Sequence, residues 1–339
     1  MSRLRAAVIG CGAIAQHCHL PGYAGCKDVS LEAAADVEPA RLREAQEKFG
    51  VQRVYRDYRT MIEKEDLDVV SVCTPNYLHA DCAIRAAEAG CHILCEKPIA
   101  LSMKEASAMA AAVKKNRVRM MTGFTHRFLA GNEKAKELLD AGVIGRPFMI
   151  RIRFAHEGPQ PGWAMSDWFY NPRKAGGGAC LDMGIHAYDL CEFYLGRVTS
   201  VQANIRTIIK KIKVDDNAVL AFEFASGALG YVEVGWTSKP GFTGVEIYGT
   251  EGTLIVDYSR GVEVIGGAAT AAGGRGDKRR TLKVDCWAGG WKIEVAEFVR
   301  RLKTGKPFRA GIDEGIRALR IALAGYKASK TGCKVRIPS

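Results

Sequence analysis

The sequence contains no long uninterrupted hydrophobic run, although hydrophobic residues make up 47% of its 339 positions. Charged residues or glycine interrupt the apolar stretches well before the ~20 residues needed to cross a bilayer. The first residues, Met1–Arg5, lead directly into a predicted strand, so no signal peptide is evident. We therefore expect no membrane span and interpret the protein as cytoplasmic.

Paired CxxC motifs are also absent, although the chain has 11 cysteines. Several of them, such as Cys73, Cys91 and Cys95, lie inside apolar runs, which is typical of small buried residues in a reducing compartment. Neither His17 and His19 nor the segment 91–95 has the usual spacing of metal ligands. The sequence thus predicts neither disulfides nor a metal site.

Dense basic clusters are rare for a chain with a formal net charge of +12. Most lysines and arginines are scattered through predicted helices beside glutamates, and the one dense group, Arg275–Arg280, lies in a glycine-rich loop. This distribution favours a solvated surface over a nucleic-acid interface. The positive field would still attract a phosphorylated cofactor or a nucleotide sugar.

Strand-like and helix-like segments alternate over residues 1–124, which is typical of βαβ units around a parallel sheet. The predicted strands are Arg5–Ile9, Leu31–Asp36, a short strand near Val54, Asp68–Cys73, Cys91–Glu96 and Val118–Gly123. The predicted helices are Pro39–Phe49, Leu78–Ala89 and Lys104–Lys115. The pattern predicts an α/β domain over residues 1–124.

Beyond residue 124 the pattern changes to a predicted helix, an extended segment, a glycine-led helix and then alternating strands. These are Asn132–Ala141, Phe148–His156, a helix from Gly178, and strands at Val198–Ile209, Asn217–Ala225, Ala228–Trp236, Gly244–Gly249 and Thr253–Tyr258. Gly261–Arg280 is interpreted as a hairpin or loop, and Lys292–Lys303 and Asp313–Ser329 as closing helices. Residues 125–339 are therefore predicted to form an α+β domain with a mostly antiparallel sheet.

The segment GCGAIA at residues 10–15 follows the first predicted strand and opens a helix, the context in which G-x-G-x-x-G/A indicates a dinucleotide site. Gly10 permits a tight turn, Gly12 lets the backbone approach a pyrophosphate, and Ala15 lets the helix pack closely. The helix start, with Ala13 and Ile14, offers N–H groups and a positive dipole end to phosphates. A glycine turn of an ordinary βα unit is the alternative.

Asp36 ends the second predicted strand, 21 residues after Ala15, where a carboxylate accepts hydrogen bonds from the adenosine ribose. Its charge would repel a 2′-phosphate, so NAD is favoured over NADP. Arg41 keeps NADP possible, because an arginine in the next helix could reach such a phosphate. Alternatively, Asp36 only caps the helix that follows Pro39.

The loop Thr74-Pro75-Asn76 follows the fourth predicted strand and leads to His79 at a helix start. Polar residues in this position are expected to line the cofactor cleft near the nicotinamide-side ribose. The same tripeptide is equally typical of a turn with a helix cap. Its position beside the glycine loop favours the cofactor role.

Glu96-Lys97-Pro98 places a lysine at the carboxyl end of a predicted strand, where open α/β sheets bind their ligands. A lysine beside a cofactor can hydrogen-bond a substrate hydroxyl and stabilise negative charge as the proton leaves. An isolated strand-end lysine is usually only solvated, but the neighbouring motifs favour catalysis. We assign Glu96 and Lys97 to the cofactor site as well, and a cis bond before Pro98 is compatible with the sequence.

Asp182 and His186 follow a run of three glycines at 176–178 and lie four residues apart, so on a helix they share one face. Both are expected to face the cleft, His186 as general base and Asp182 as the group that orients it or binds a hydroxyl. Asp189 is a candidate support for His186 or a cap of a neighbouring turn. For a lone histidine, a satisfied core position is the alternative.

Together, the glycine loop, Glu96-Lys97-Pro98 and the segment GGGACLDMGIH at 176–186 resemble the glucose-fructose oxidoreductase / inositol dehydrogenase / rhizopine catabolism family, called Gfo/Idh/MocA, over nearly the whole chain. The resemblance implies a Rossmann domain that binds NAD or NADP. It also implies a C-terminal domain whose large open sheet holds the substrate and mediates dimers or tetramers. The family's catalytic lysine, aspartate and histidine fall on Lys97, Asp182 and His186.

Other candidates depend on the same resemblance. Arg127 follows the sixth predicted strand, where the family commonly places an arginine or asparagine at the cleft, although a salt bridge is an equally good interpretation. His156, Trp163 and Trp168 lie in the segment that faces the cleft in this architecture. Tryptophan suits stacking on a sugar face, but tryptophan as core filler is an equal alternative.

The leading hypothesis is an NAD-dependent dehydrogenase that oxidises a secondary hydroxyl of a sugar, sugar derivative or cyclitol, or reduces the ketone in reverse. Lys97 and His186 would handle the hydroxyl proton. A dihydrodiol- or imine-type oxidoreductase is a second reading of the same fold. A non-catalytic NAD(P)-sensing regulator is a third hypothesis. Loss of the lysine or the histidine would indicate such a regulator, and this chain retains both.

Overall fold

The computed structural model of the chain describes residues 3–159, 164–238, 244–267 and 279–338. The described residues of Met1–Thr125, Trp163–Gly176 and Trp291–Leu319 form one compact unit, and those of His126–Gly162, Gly177–Gly290 and Arg320–Ser339 form a second. Two segments that the sequence pattern assigned to the C-terminal domain therefore group with the N-terminal residues. Within the described ranges, no helix has both the length and the apolar character needed to span a membrane.

Six parallel strands form the sheet of the first unit. They are β1 (Leu4–Ile9), β2 (Val29–Ala35), β3 (Arg53–Tyr55), β4 (Val69–Val72), β5 (His92–Cys95) and β6 (Met120–Thr122). Their spatial order is β3-β2-β1-β4-β5-β6, the order of a Rossmann fold. The predicted α/β class with a parallel sheet is confirmed.

The helices follow local sequence signals. In chain order they are α1 (Leu20–Ala24), α2 (Pro39–Phe49), α3 (Tyr58–Lys64), α4 (His79–Glu88), α5 (Met103–Lys115), α6 (Ala130–Asp140), α7 (Pro172–Ala175), α8 (Ala179–Asp182), α9 (Gly184–Leu195), α10 (Trp291–Thr304) and α11 (Ile312–Thr331). Helix α2 has proline at its first position and ends at Gly50, whose φ of 71° is left-handed. Helix α5 is capped by Ser102, whose Oγ accepts the Glu105 N–H, while Glu105 Oε2 accepts the Leu101 N–H just before the cap.

The central strands of the first sheet end level with one another. Ile9 pairs with Val72, Val72 pairs with Cys95, and Cys95 pairs with Thr122. The loops that leave β1, β4, β5 and β6 therefore start side by side at one edge. This register brings together segments that are far apart in sequence, and it is the edge at which α/β sheets bind ligands.

Nine strands form the sheet of the second unit. They are β7 (Pro147–Ala155), β8 (Val198–Arg206), β9 (Asn217–Phe224), β10 (Leu229–Gly235), β11 (Gly244–Gly249), β12 (Gly252–Asp257), β13 (Gly261–Gly266), β14 (Arg279–Leu282) and β15 (Val335–Arg336). Their order is β14-β13-β12-β11-β7-β10-β9-β8-β15, and among the strand pairs of the described residues only β7–β10 is parallel. The predicted mostly antiparallel sheet is confirmed.

Candidate active site

The two glycines of the loop after β1 are needed for different reasons. Gly10 has a φ of 87°, and a Cβ there would lie 2.7 Å from the Cys73 carbonyl oxygen, so glycine is needed for the close approach of two strand ends. A Cβ on Gly12 would meet no described protein atom within 4 Å. Packing therefore does not demand glycine at position 12, whereas the approach of a ligand to the backbone would.

The helix after this loop begins at Ala13, passes through a π-helical stretch over Ala15–His19 and continues into α1. Ala15 is fully buried, as expected for the position that packs on the sheet. The first N–H groups of a helix have no intrahelical acceptor, so Ala13 and Ile14 present donors at the edge of the sheet. These donors and the open position at Gly12 fit the pyrophosphate of a dinucleotide.

Asp36 is held rigidly at the end of β2. Its Oδ2 accepts the Cys11 N–H at 2.7 Å and its Oδ1 accepts the Glu38 N–H at 2.8 Å. The Arg41 guanidinium lies 3.8 Å from Oδ2. Each carboxylate oxygen has a second lone pair, so Asp36 fits a ribose diol while it also ties the glycine loop to the start of α2.

The loop after β4 is fixed by its side chains. Asn76 Nδ2 donates to the Ala175 carbonyl at 2.9 Å. The buried His79 ring faces the Thr74 carbonyl and the Pro98 carbonyl, each at 2.7 Å. Burial lowers the pKa of His79. The ring thus joins the Thr74 loop to the segment after β5, an arrangement that helps to fix the shape of the predicted cofactor site.

Lys97 is half-buried directly after β5, and the bond between Lys97 and Pro98 is cis. The side chain of Glu96 points in a different direction, into the interior, where its Oε1 lies 3.0 Å from His19 Nε2. Its Oε2 lies 3.3 Å from the Lys97 backbone nitrogen. The register of the sheet therefore places Lys97 at the same edge as the glycine loop and the Thr74 loop.

In the second unit, the predicted glycine-led helix is divided into α8 and α9 at Met183, whose φ of −83° and ψ of −40° are still helical. Asp215 caps its start, since its carboxylate accepts the N–H groups of Gly178 and Cys180 at 2.9 and 2.7 Å. A Cβ on Gly178 would lie 1.8 Å from the Asp215 carbonyl oxygen, so this glycine serves the close approach of the two segments.

Asp182 and His186 are both buried, each with 7% of its surface exposed. The His126 ring lies against the His186 ring, with 4.5 Å between centroids and 44° between planes. The Tyr258 hydroxyl lies 3.3 Å from His126 Nδ1 and accepts a hydrogen bond from Asn132. The surroundings of His186 are therefore aromatic and ordered, which limits the orientations of its ring.

Arg127 forms a buried ion pair with Asp189, with two hydrogen bonds of 2.8 and 2.7 Å between the guanidinium and the carboxylate. Asp189 lies three residues after His186 on α9. The salt bridge that the sequence allowed for Arg127 is thus present. Two-point geometry of this kind fixes both side chains, and it anchors α9 to the segment after β6.

The remaining sequence candidates lie in different surroundings. His156 directly follows β7, and its Nδ1 accepts the Gly158 N–H at 2.8 Å. Trp168 belongs to the first unit and stacks on Phe169 with 3.8 Å between ring centroids. Trp163 lies outside the described residues. In the described ranges, no group of three His, Cys, Asp or Glu side chains is placed to hold a metal ion.

Sequence reasoning missed three aromatic residues near His186. Beside His126, the Tyr258 ring lies against Trp287 at a tilt of 42°, with 4.8 Å between centroids. Trp287 is 49% exposed although it is a large apolar side chain. An exposed tryptophan indicates a binding site only when its neighbours in space are known. The sequence could not show these neighbours, because Trp287 is 101 residues away from His186. The three rings form a continuous aromatic row from His186 to the surface of the second unit.

Family models match both parts of the chain. Residues 4–124 match the model described as "Oxidoreductase family, NAD-binding Rossmann fold", and residues 132–255 match "GFO/IDH/MocA C-terminal domain". The two matches together span most of the sequence.

Individual relatives are similar over long stretches. Myo-inositol 2-dehydrogenase of Thermotoga maritima is 31% identical over 334 residues, which cover 97% of this chain and 96% of that protein. Levoglucosan dehydrogenase of Pseudarthrobacter phenanthrenivorans is 32% identical over 251 residues, 67% of this chain and 64% of that protein. A solved structure titled as levoglucosan dehydrogenase in complex with NADH and levoglucosan has a TM-score of 0.85 at 26% identity, with 100% of both chains covered.

Proposed function

The chain belongs to the GFO/IDH/MocA family of NAD-binding oxidoreductases, and from this premise we propose that it oxidises a secondary hydroxyl of a sugar, sugar derivative or cyclitol with NAD, or reduces the ketone in reverse. One observation carries the proposal. The level ends of β1, β4 and β5 put the glycine loop and Lys97 at the same edge of one sheet. The family premise adds the sugar or cyclitol class, which the names of the relatives share.

The cofactor is assigned to residues that the first unit fixes in place. The N–H groups of Gly12, Ala13 and Ile14 bind its phosphates, and Asp36 binds the adenosine ribose. The Thr74–Asn76 loop lines the nicotinamide side, with Pro75 between its two polar residues. Bound NAD supplies the hydride acceptor for the reaction.

NAD is preferred over NADP in this proposal. Asp36 would repel a 2′-phosphate, and Arg41, the cation nearest to it along α2, lies 3.8 Å from the Asp36 carboxylate. An arginine that is drawn to this carboxylate is less available to a phosphate. A direct titration with both cofactors tests the preference.

The proton of the substrate hydroxyl is assigned to His186, which accepts it at a ring nitrogen. Lys97 donates a hydrogen bond to the same hydroxyl oxygen and stabilises the negative charge that develops there. Asp182 orients His186 or binds a neighbouring hydroxyl. A histidine suits this task because its ordinary pKa lies near neutrality.

The aromatic row beside His186 supports a sugar or cyclitol as the substrate. Trp287 offers an exposed ring, and such a ring stacks well on the C–H face of a pyranose or cyclitol. His126 and Tyr258 connect this ring to His186 through contacts between neighbouring rings. We therefore assign Trp287 to substrate binding, in addition to the sequence candidates His156 and Trp168.

A second copy of the chain is the proposed partner of the large sheet. From Ala218 to Phe224, residues of β9 alternate between buried and exposed, which leaves Val219, Ala221 and Glu223 exposed on one face of the described sheet. Leu229 on the neighbouring β10 is 53% exposed. A face of mixed apolar and charged residues fits a homodimer or homotetramer, and light scattering coupled to size-exclusion chromatography tests it.

The experiment that tests the function is incubation of the protein with NAD and a panel of sugars, anhydrosugars, inositols and nucleotide sugars, with reduced cofactor followed by absorbance. Turnover of at least one member is expected. NAD binding without any turnover would favour the non-catalytic sensor, and turnover of dihydrodiols or imines alone would favour that second oxidoreductase class. Turnover that survives Lys97→Ala would contradict the assigned mechanism.

A further inference from the structure

A buried polar cluster lies behind the strand end that carries Lys97. Hydrogen bonds join four of its side chains, Tyr23, Ser71, His19 and Glu96. The fifth is Glu294 of α10, which the charge of Glu96 influences. His19, Ser71 and Glu294 have no exposed surface. None of the proposed steps uses this cluster except through Glu96, so its polar atoms need another explanation.

The hydrogen bonds of the cluster run in one direction. Tyr23 and Ser71 hydroxyls lie 2.8 Å apart, Ser71 Oγ lies 2.9 Å from His19 Nδ1, and His19 Nε2 lies 3.0 Å from Glu96 Oε1. A carboxylate only accepts, so Nε2 carries the proton and donates to Glu96. With the hydrogen placed on Nε2, Nδ1 is left to accept from Ser71, whose hydroxyl accepts from Tyr23. Every hydrogen of the row has an acceptor.

Glu294 is the exception in this cluster. Neither of its carboxyl oxygens has a hydrogen-bond partner among the described residues. Burial and then the nearby charge of Glu96 raise the pKa of Glu294 well above its usual value. For Glu96, burial acts to raise the pKa, but the hydrogen bond from His19 and the charges around it hold the pKa below its ordinary value. Two neighbouring buried carboxyls thus divide into a neutral acid and an anion.

The anion is placed against the backbone of the proposed catalytic residue. Glu96 Oε2 lies 3.3 Å from the Lys97 backbone nitrogen, and Glu96 directly precedes Lys97 in the chain. The neighbouring strand end gives it room, because a Cβ on Gly123 would lie 3.1 Å from Glu96 Oε1. The direction in which the chain leaves β5 therefore depends on a side chain that is held from the interior.

We propose that Glu96, which the His19 ring holds by a hydrogen bond, is a positioning residue that sets the place of Lys97 at the sheet edge. The inference rests on the proposed role of Lys97 in proton handling. Glu96 itself touches neither the substrate nor the hydroxyl proton in this role. Glu96 affects the rate only by fixing the position of Lys97.

The first test compares Glu96→Gln, Lys97→Ala and the double variant, with exposed Glu88→Gln as the matched control. With the substrate that the panel identifies, Glu96→Gln is expected to lower kcat by about 100-fold, the cost of a small misplacement of a catalytic group. The KM for NAD is expected to stay unchanged. Glu96→Gln should add no further loss to Lys97→Ala, because both changes remove the same contribution.

Three outcomes would overturn the inference. A wild-type kcat in Glu96→Gln would overturn it while leaving the proposed function intact. So would a double variant whose fold-loss in kcat equals the product of the two single fold-losses. A wild-type kcat in Lys97→Ala would overturn both. If Glu96→Gln does not fold, Tyr23→Phe takes its place, since it removes only the hydroxyl at the far end of the row; a lower kcat at unchanged KM for NAD supports the inference, and a wild-type kcat opposes it.

The second test does not depend on activity. Infrared difference spectra at neutral pH are expected to show the carbonyl stretch of a protonated carboxyl in the wild-type protein and in Glu96→Gln, and to lose it in Glu294→Gln. Loss of the band in Glu96→Gln with retention in Glu294→Gln would reverse the assignment of acid and anion, and would overturn the proposal.

Discussion

The edge of the parallel sheet and the surroundings of His186 bring their candidate site residues together in different ways. At the sheet edge, the segments after β1, β4 and β5 meet because their strands end in register. Around His186, the neighbours come from distant segments, and side-chain contacts hold them: Arg127 to Asp189 and His126 to Tyr258. Backbone register fixes the first region, whereas packing and ion pairs fix the second.

This difference has a physical consequence. Strand register involves many backbone hydrogen bonds, so a side-chain change at the sheet edge that introduces no clash should alter ligand binding more than folding. The His186 region depends on a few buried polar contacts, and a buried charge that loses its partner is costly. The following predictions test this contrast, from the largest expected effect to the smallest.

His186→Gln should lower kcat/KM by about 10²–10⁴-fold, the usual contribution of a positioned general base. Binding of NAD, which is assigned to the first unit, should remain at the wild-type level in a fluorescence titration. Exposed Lys104→Ala serves as the control. A His186→Gln variant with wild-type turnover would show that the histidine is not the base.

Arg127→Met should reduce the free energy of unfolding by about 3–5 kcal/mol, because it leaves the Asp189 carboxylate buried without its cation. Denaturant unfolding followed by circular dichroism measures the change. Lys48→Met, which removes a cation from an exposed pair with Glu44, should leave the midpoint unchanged. Equal midpoints for the two variants would contradict the view that the His186 region depends on this ion pair.

Gly10→Ala and Gly12→Ala form a matched pair at the sheet edge. Gly10→Ala should cost about 1–3 kcal/mol of stability because its φ is left-handed and its Cβ would meet the Cys73 carbonyl. Gly12→Ala should keep the wild-type unfolding midpoint and weaken NAD binding. Thermal unfolding and NAD titration separate the two effects, and unaltered NAD affinity in Gly12→Ala would argue against a pyrophosphate at this position.

Trp287→Ala should raise the KM for the sugar or cyclitol by an amount equivalent to about 0.5–1.5 kcal/mol, the usual contribution of an aromatic contact. The KM for NAD should not change. Trp291→Ala is the control, because Trp291 is 45% exposed at the start of α10 in the first unit. The same KM for the sugar in both variants would remove Trp287 from the substrate site.

The segments at the sheet edge could be predicted from the sequence in detail, because the signals for them lie in residues close together in the chain. The strands, the glycine loop and the exact span of α2 follow from hydrophobic runs, glycine and a proline at the helix start. Local signals did not show that α10 packs with the N-terminal unit or that the predicted helix from Gly178 divides at Met183. Nor did they show that Asp215 caps that helix from 35 residues or more away.

The sequence by itself determined the Rossmann-type sheet, the glycine loop after β1 and the family to which Lys97, Asp182 and His186 point. These features depend on short-range periodicity and on residues close together in the chain. Only the tertiary structure decided the partners of Glu96, Asp189 and His126, because such contacts join segments separated by 60 residues or more. A carboxylate, a guanidinium or an imidazole has many available partners in sequence, and burial beside one neighbour selects the pair that forms.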